Sequence, residues 1–250
     1  MTSNPMSARS LSKGLATILA TALLLTGVTI ATAAGDLPET TPEGLKLVKN
    51  EKHRVVYLAD DADFSVYTKV YIVDAAVAFA KNWQRDYNRN ERDLSRKVSD
   101  KDVERIKNEL STEFKEVFTQ AMIDNGLEVV TEVGSDVVVL RPAIVNLQVN
   151  APDIQSATRS HTYTADAGQM TLYLELYDGV SGALQAKVLD AKSARRTAPG
   201  MTYATKSSNI RDADRLLKSW ADEIASHFHI AKAADAEDNA TSDDASDSEG

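Results

Sequence analysis

The chain has no cysteine among its 250 residues. That excludes a disulfide framework, thiolate metal sites and thiol catalysis. It also excludes a lipid anchor at one particular place. The string LLLTGV, Leu23–Val28, ends an apolar run in the form that bacterial lipoproteins complete with cysteine, and Val28 stands at that position. Lipid transfer needs a thiolate to attack the diacylglycerol donor, which an isopropyl group cannot do.

Histidine is scarce as well. Of the four, His227 and His229 lie two apart on an expected helix, about 200° around its axis, so they cannot share a ligand. They are expected to cap its last turn, and no metal site is expected. There is no G-x-S-x-G elbow and no G-x-x-x-x-G-K phosphate loop, and Gly179-Val180-Ser181-Gly182 reads as a hairpin turn. No catalytic residue and no cofactor is assigned.

Acidic side chains are missing from residues 1–34, where Arg9 and Lys13 carry the only charges. An apolar stretch from Leu15 to Ile30 follows, diluted by Thr17, Thr21, Thr26 and Thr29, and then the small-x-small triplet Ala31-Thr32-Ala33. A basic start, an apolar middle and an A-x-A site describe a secretory signal. Cleavage after Ala33 or Ala34 is expected, giving a periplasmic protein. The alternative is an uncleaved inner-membrane anchor, which the four threonines weaken. Without a lipid-bearing cysteine, no membrane association is expected after cleavage.

Basic charge is in short supply overall: 28 Lys and Arg against 37 Asp and Glu, a net of -9. Removing the two cations of the signal leaves the mature chain near -11. An acidic protein lacks the phosphate contacts that supply most nucleic-acid affinity, so no nucleic-acid partner is expected. Residues 233–250 hold seven acidic residues, no basic ones and no large apolar side chain. Such a segment cannot offset its ordering entropy and is expected as a disordered acidic tail. Residues 34–50, with Pro38 and Pro42, read as a flexible lead-in, which leaves a single domain over 51–232.

Within the domain, Arg54–Leu58 and Lys69–Asp74 are β-prone, the second continuing into Ala75–Phe79. Asn82–Val98 reads as a polar, arginine-rich loop. Ser99 then caps a helix whose Val103, Ile106, Leu110, Phe114, Val117 and Ala121 make one apolar stripe, stopped by Asn125-Gly126. Leu127–Thr131 reads as a strand. Val137–Val149 is β-branched but changes phase, and Pro142 at the switch predicts a bulge or bend near a sheet edge. Gln169–Tyr177 alternates cleanly, with Met170, Leu172, Leu174 and Leu176 on one face; Asp178–Gly182 turns the chain and Leu184–Ala194 returns. A last helix is expected over Asp212–Phe228, burying Ala213, Leu216, Leu217, Trp220, Ile224 and Phe228. The order predicts an α+β fold: two layers, a mostly antiparallel sheet with two main helices on one face.

The strings NWQRDYNR, LSRKVSDKDVERIK, VLRPAIVNLQVNAPD and GQMTLYLELYDGVSG resemble the domain-of-unknown-function 3313 family of bacterial lipoproteins, over roughly residues 45–230. The resemblance implies an exported envelope protein, usually lipid-anchored, with no established activity and no catalytic residues to carry over. Val28 departs from that pattern.

Two segments offer candidate binding residues. In the first, Trp83 and Tyr87 interleave with Arg85, Arg89 and Arg92, the residue types that dominate binding surfaces. Arginine forks suit carboxylate or phosphate, and the rings suit sugars. The plainer reading is that Trp83 covers the core edge while the arginines pair with Asp86, Glu91 and Asp93. The second is the long connection Ala151–Ala167, with Asp153, Arg159, His161 and Tyr163, read either as a cleft lining or as a surface cover. Together these observations favour a non-catalytic envelope module that binds a protein or cell-wall partner. A small hydrolase using paired carboxylates, or a subunit of a transport or secretion assembly, are the alternatives.

Overall fold

The computed structural model describes residues 37–150, 152, 162–164, 166–195, 202–204 and 210–228. Strands β1 (Lys46–Glu51), β2 (Arg54–Leu58), β3 (Lys69–Ile72), β4 (Ala76–Phe79), β5 (Glu128–Val129), β6 (Val137–Val149), β8 (Asp166–Asp178) and β9 (Leu184–Arg195) form one sheet. The order is β1-β2-β9-β8-β6-β3-β5, with β4 also on β6. Strands β7 (Thr162–Thr164) and β10 (Thr202–Ala204) make a separate antiparallel ribbon. The helices are α1 (Trp83–Asn90), α2 (Asp100–Asp124) and α3, spanning 210–228.

Across the sheet from β1 to β6 every pairing is antiparallel, whereas β3 and β4 run parallel to β6, and β5 parallel to β3. The α+β expectation holds, with a mixed sheet. Alternation places Met170, Leu172, Leu174 and Leu176 of β8 in the core, where they meet Phe114, Phe118 and Met122 of α2 and Leu217, Trp220 and Ile224 of α3. Both long helices therefore cover the same sheet face.

Local chemistry fixes the ends of α2. Ser99 Oγ accepts from the Asp102 amide at 3.2 Å while Asp102 Oδ2 accepts from the Ser99 amide at 3.0 Å, a reciprocal capping box. At the other end Gly126 takes φ +81°, its amide donates to Ile123 O and the Leu127 amide to Met122 O, a Schellman stop.

The phase change in β6 is present, but it lies at Asn146 rather than Pro142. Asn146 has φ 53°, and the register with β8 shifts between Val145 and Gln148. Pro142 stays in register with Leu174, in the middle of the sheet rather than at an edge. Val73 N–H donates to Leu140 O, so the even residues of β6 before Asn146 aim their main-chain groups toward the side of β3. Pro142 falls where β3 has ended and β4 has not begun, and there its missing N–H costs no ladder bond. That break also divides the run expected as continuous over 69–79.

Two further boundaries move. The second half of the expected lead-in is structured: Leu45 is 1% exposed, β1 pairs with β2, and the Tyr57 hydroxyl donates to Pro38 O at 3.1 Å. A hairpin through Lys52-His53 supplies this pairing, and no period within 34–50 reveals it. The strand expected over 127–131 shrinks to Glu128–Val129 because only β3 is available to pair it. The signal expected over 1–33 and the acidic tail expected over 233–250 lie outside the described residues.

Candidate functional site

The first half of the arginine-rich segment, 83–90, is a helix, not a loop. In α1, Trp83 and Tyr87 lie four apart and share a face, as do Gln84 and Asn88. Trp83 stacks on Phe79 with centroids 4.2 Å apart and on Tyr87 at 5.8 Å, and its Nε1 donates to Val149 O at 3.3 Å. Gln84 and Asn88 donate to Val98 O, and Asn88 Oδ1 accepts from the Val98 amide at 2.8 Å. These bonds strap α1 between the end of β6 and the start of α2. With only two aromatics and no aliphatic side chain, the helix draws its order from these tertiary bonds, which the sequence does not display.

Of the candidate residues here, Arg85 and Arg89 point outward and share Asp86 at 3.1 and 3.9 Å, and Arg92 is exposed. The Trp83 ring is engaged by Phe79 and Tyr87, and its indole N–H is already bonded. In the second candidate segment, Asp153, Arg159 and His161 lie outside the described residues, and Tyr163 is placed only as backbone, paired with Tyr203.

A larger feature lies beside Val149. The first half of α2, the first turns of α3 and the end of the sheet enclose a cleft of about 520 Å³. Its floor is apolar: Ile106 and Leu110 from α2, Leu147 from β6, Met170 from β8, and Ala213 and Leu216 from α3. Gly168 shapes that floor. Its φ is +144°, and a Cβ there would stand 2.0 Å from Gln148 O, so β8 approaches β6 this closely only without a side chain.

Glu109, Glu113 and Glu116 line the α2 wall at intervals of four and three, a stripe next to the apolar one, and Asp212 lines the α3 wall. Arg105 bonds Asp102 at 3.4 Å and Glu109 at 3.2 Å, and Arg215 bonds Asp212 at 2.8 Å. Glu113 and Glu116 have no ion pair among the described residues. Burial raises the Glu113 pKa above the usual carboxylate range, and the charges of Asp214 and Glu116 push it the same way. Sequence reasoning assigned Ile106, Leu110, Ala213 and Leu216 to the core and passed over the acidic stripe, which reads as a solvated helix face. Its one signal is an acidic i, i+4, i+7 row flanking an apolar row in the middle of a helix.

The sheet face opposite α2 and α3 carries a second polar arrangement. Tyr173 and Tyr177 donate one to each oxygen of Glu175, at 2.5 and 2.8 Å, with Arg141 and Lys187 each 3.8 Å from that carboxylate. Among the described residues, no group of three or more His, Asp or Glu is placed to hold a metal ion, and no helix is long and apolar enough to cross a membrane.

A family model described as a protein of unknown function, DUF3313, matches residues 42–224. Among curated proteins none matches. Solved structures similar at low identity include three bacterial proteins. A PelC dodecamer from Paraburkholderia phytofirmans is 9% identical, covering 68% of this chain and 95% of that one, with a TM-score of 0.34. A DUF330 protein from Xanthomonas campestris is 11% identical, covering 71% and 93%, with a TM-score of 0.40. A DUF4136 protein from Bacteroides thetaiotaomicron is 9% identical, covering 72% and 98%, with a TM-score of 0.33.

Proposed function

The chain belongs to the DUF3313 family, proteins of unknown function, and from that premise we propose that it is an exported, non-catalytic binding module of the cell envelope. Its ligand enters the cleft between α2 and α3. The cleft itself is the observation that carries this reading. About 520 Å³ lies within the roughly 300–1,000 Å³ range of small-ligand sites, over an apolar floor with a few convergent polar groups. The walls are held by a capped helix, a close strand crossing at Gly168 and the α1 strap, so the cavity is formed before any ligand arrives. The polar groups lining it among the described residues are carboxylates, amides, a guanidinium and the Thr112 hydroxyl, which donates to Asn108 O. No imidazole or thiol is among them. The amino-terminal signal pattern supports export.

Cell fractionation with intact mass measurement tests the location. A periplasmic species starting at Ala34 or Gly35 is expected, and a cytosolic species starting at Met1 overturns the export reading. Native mass spectrometry of that species tests the cleft: a non-covalent adduct lost in Ala213→Trp is expected, and an adduct unchanged by that substitution contradicts it.

One observation favours a second reading, an envelope hydrolase using paired carboxylates. Glu113 keeps its proton to higher pH than an ordinary glutamate and lines the cleft with Glu116, as a general acid beside a base would. Turnover of aryl glycosides that disappears in Glu113→Gln would establish that reading, and no turnover by the wild type removes it.

A further inference from the structure

Resting on the cleft as the binding site, we propose that its ligand is a single-chain amphiphile with an ammonium head, the chain lying on the apolar floor and the cation meeting Glu113 and Glu116. The floor requires the chain. Ile106, Leu110, Leu147, Met170 and Leu216 present apolar surface to the cavity, and an alkyl group covering them removes hydrocarbon from water on both partners.

The walls require the cation. Charge on them is uneven: among the described residues, three nearby cations are already paired, Arg105 with Asp102 and Glu109, Arg215 with Asp212, and Lys115 with Asp74 at 2.5 Å. Glu113 lies one turn further along α2, partly desolvated and facing the like charges of Asp214 and of the exposed Glu116. Folding thus leaves a carboxylate whose repulsions no described side chain offsets. An ammonium entering there relieves both the desolvation and the repulsion, whereas a hydroxyl relieves neither and a carboxylate head adds to them. The size of the cavity selects a small molecule over a macromolecular segment.

Titration calorimetry with decylammonium and decanoate below their micellar concentrations, and decanol below its solubility limit, tests this on the protein as isolated from the exporting cell. Decylammonium should bind about tenfold tighter than decanol, a difference of about 1.4 kcal/mol, and decanoate weakest. In the double variant Glu113→Gln, Glu116→Gln the ammonium preference should fall to about twofold or less, with decanol affinity retained. Ala213→Trp should abolish binding of all three, and its thermal unfolding transition serves as the check that it folds. Equal binding of the three amphiphiles overturns the head-group inference and leaves the cleft reading standing. No binding of any of them overturns both. Binding that survives Ala213→Trp places the site elsewhere and overturns both as well.

Discussion

Trp83 donates its indole N–H to the carbonyl of Val149 at 3.3 Å, which ties α1 to the strand end that walls the cleft. A residue type associated with binding surfaces thus serves here as a strut. Its stacking on Phe79 and Tyr87 adds aromatic contact at 4.2 and 5.8 Å.

Trp83→Ala should therefore lower stability by about 2–3 kcal/mol, less than a fully buried tryptophan because the residue is only partly buried. Trp83→Phe keeps most of the stack and loses the hydrogen bond, for about 1 kcal/mol. Arg85→Ala and Arg89→Ala should stay within about 0.5 kcal/mol, since exposed pairs contribute little. Urea unfolding midpoints measure all four. A neutral Trp83→Ala would remove the strut.

Glu113 gives a test of the cleft's electrostatics. Its folded pKa is raised, so the protonated form is favoured by the fold. The sign follows: full stability is present below the unfolded value near 4.5 and is lost as pH rises through the folded value. Glu113→Gln should stabilise the protein at pH 7 by roughly 0.5 kcal/mol, a figure reduced for solvent screening, and by nothing measurable at pH 4. Denaturant unfolding at the two pH values checks it. A variant less stable at pH 7 contradicts the uncompensated charge.

Gly168→Ala sets a Cβ against Gln148 O in a backbone region that favours glycine. The expected loss is about 2–4 kcal/mol in thermal or urea unfolding, with the end of β8 displaced from β6. The same substitution at Gly182, where nothing lies within 4 Å and only its φ of +66° is strained, should cost about 1 kcal/mol.

Alkaline stability should follow the buried phenols. Burial, then the nearby Asp178 charge, pushes the Tyr67 pKa up to about 12. Tyr173 is raised further by burial and by its bond to Glu175. Both are neutral in the fold, so their contribution is intact below pH 10 and disappears as pH rises through the folded values. Absorbance at the phenolate band should show Tyr67 and Tyr173 lagging furthest, with Tyr87 and Tyr177 also delayed by burial, and Tyr173→Phe should flatten the loss of stability above pH 10. All eight tyrosines titrating together near 10 would contradict the Glu175 arrangement.

The strong periodicities in the sequence translated directly into structure. The alternation of Met170, Leu172, Leu174 and Leu176, the stripe of α2 and the caps at Ser99 and Gly126 are local signals, and each element forms where they place it. What failed to show was set by partners far along the chain. The α1 strap uses Val98 and Val149, and the order of residues 45–51 comes from pairing with β2. Pro142 misled for a related reason: its tolerance in mid-sheet depends on two short strands stopping and starting opposite it. The cleft was invisible because an acidic row beside an apolar row reads as an ordinary surface helix, and only the position of α3 turns that row inward.

Hydrogen–deuterium exchange with and without decylammonium tests the central claim most directly, because it reports where a ligand is held. The amides of 105–116, 147–149, 168–170 and 210–216 should exchange more slowly in its presence, while those of 54–58 and 184–190 stay unchanged. Protection confined to α1 at 83–90, or absent throughout the chain, would contradict the cleft as the binding site.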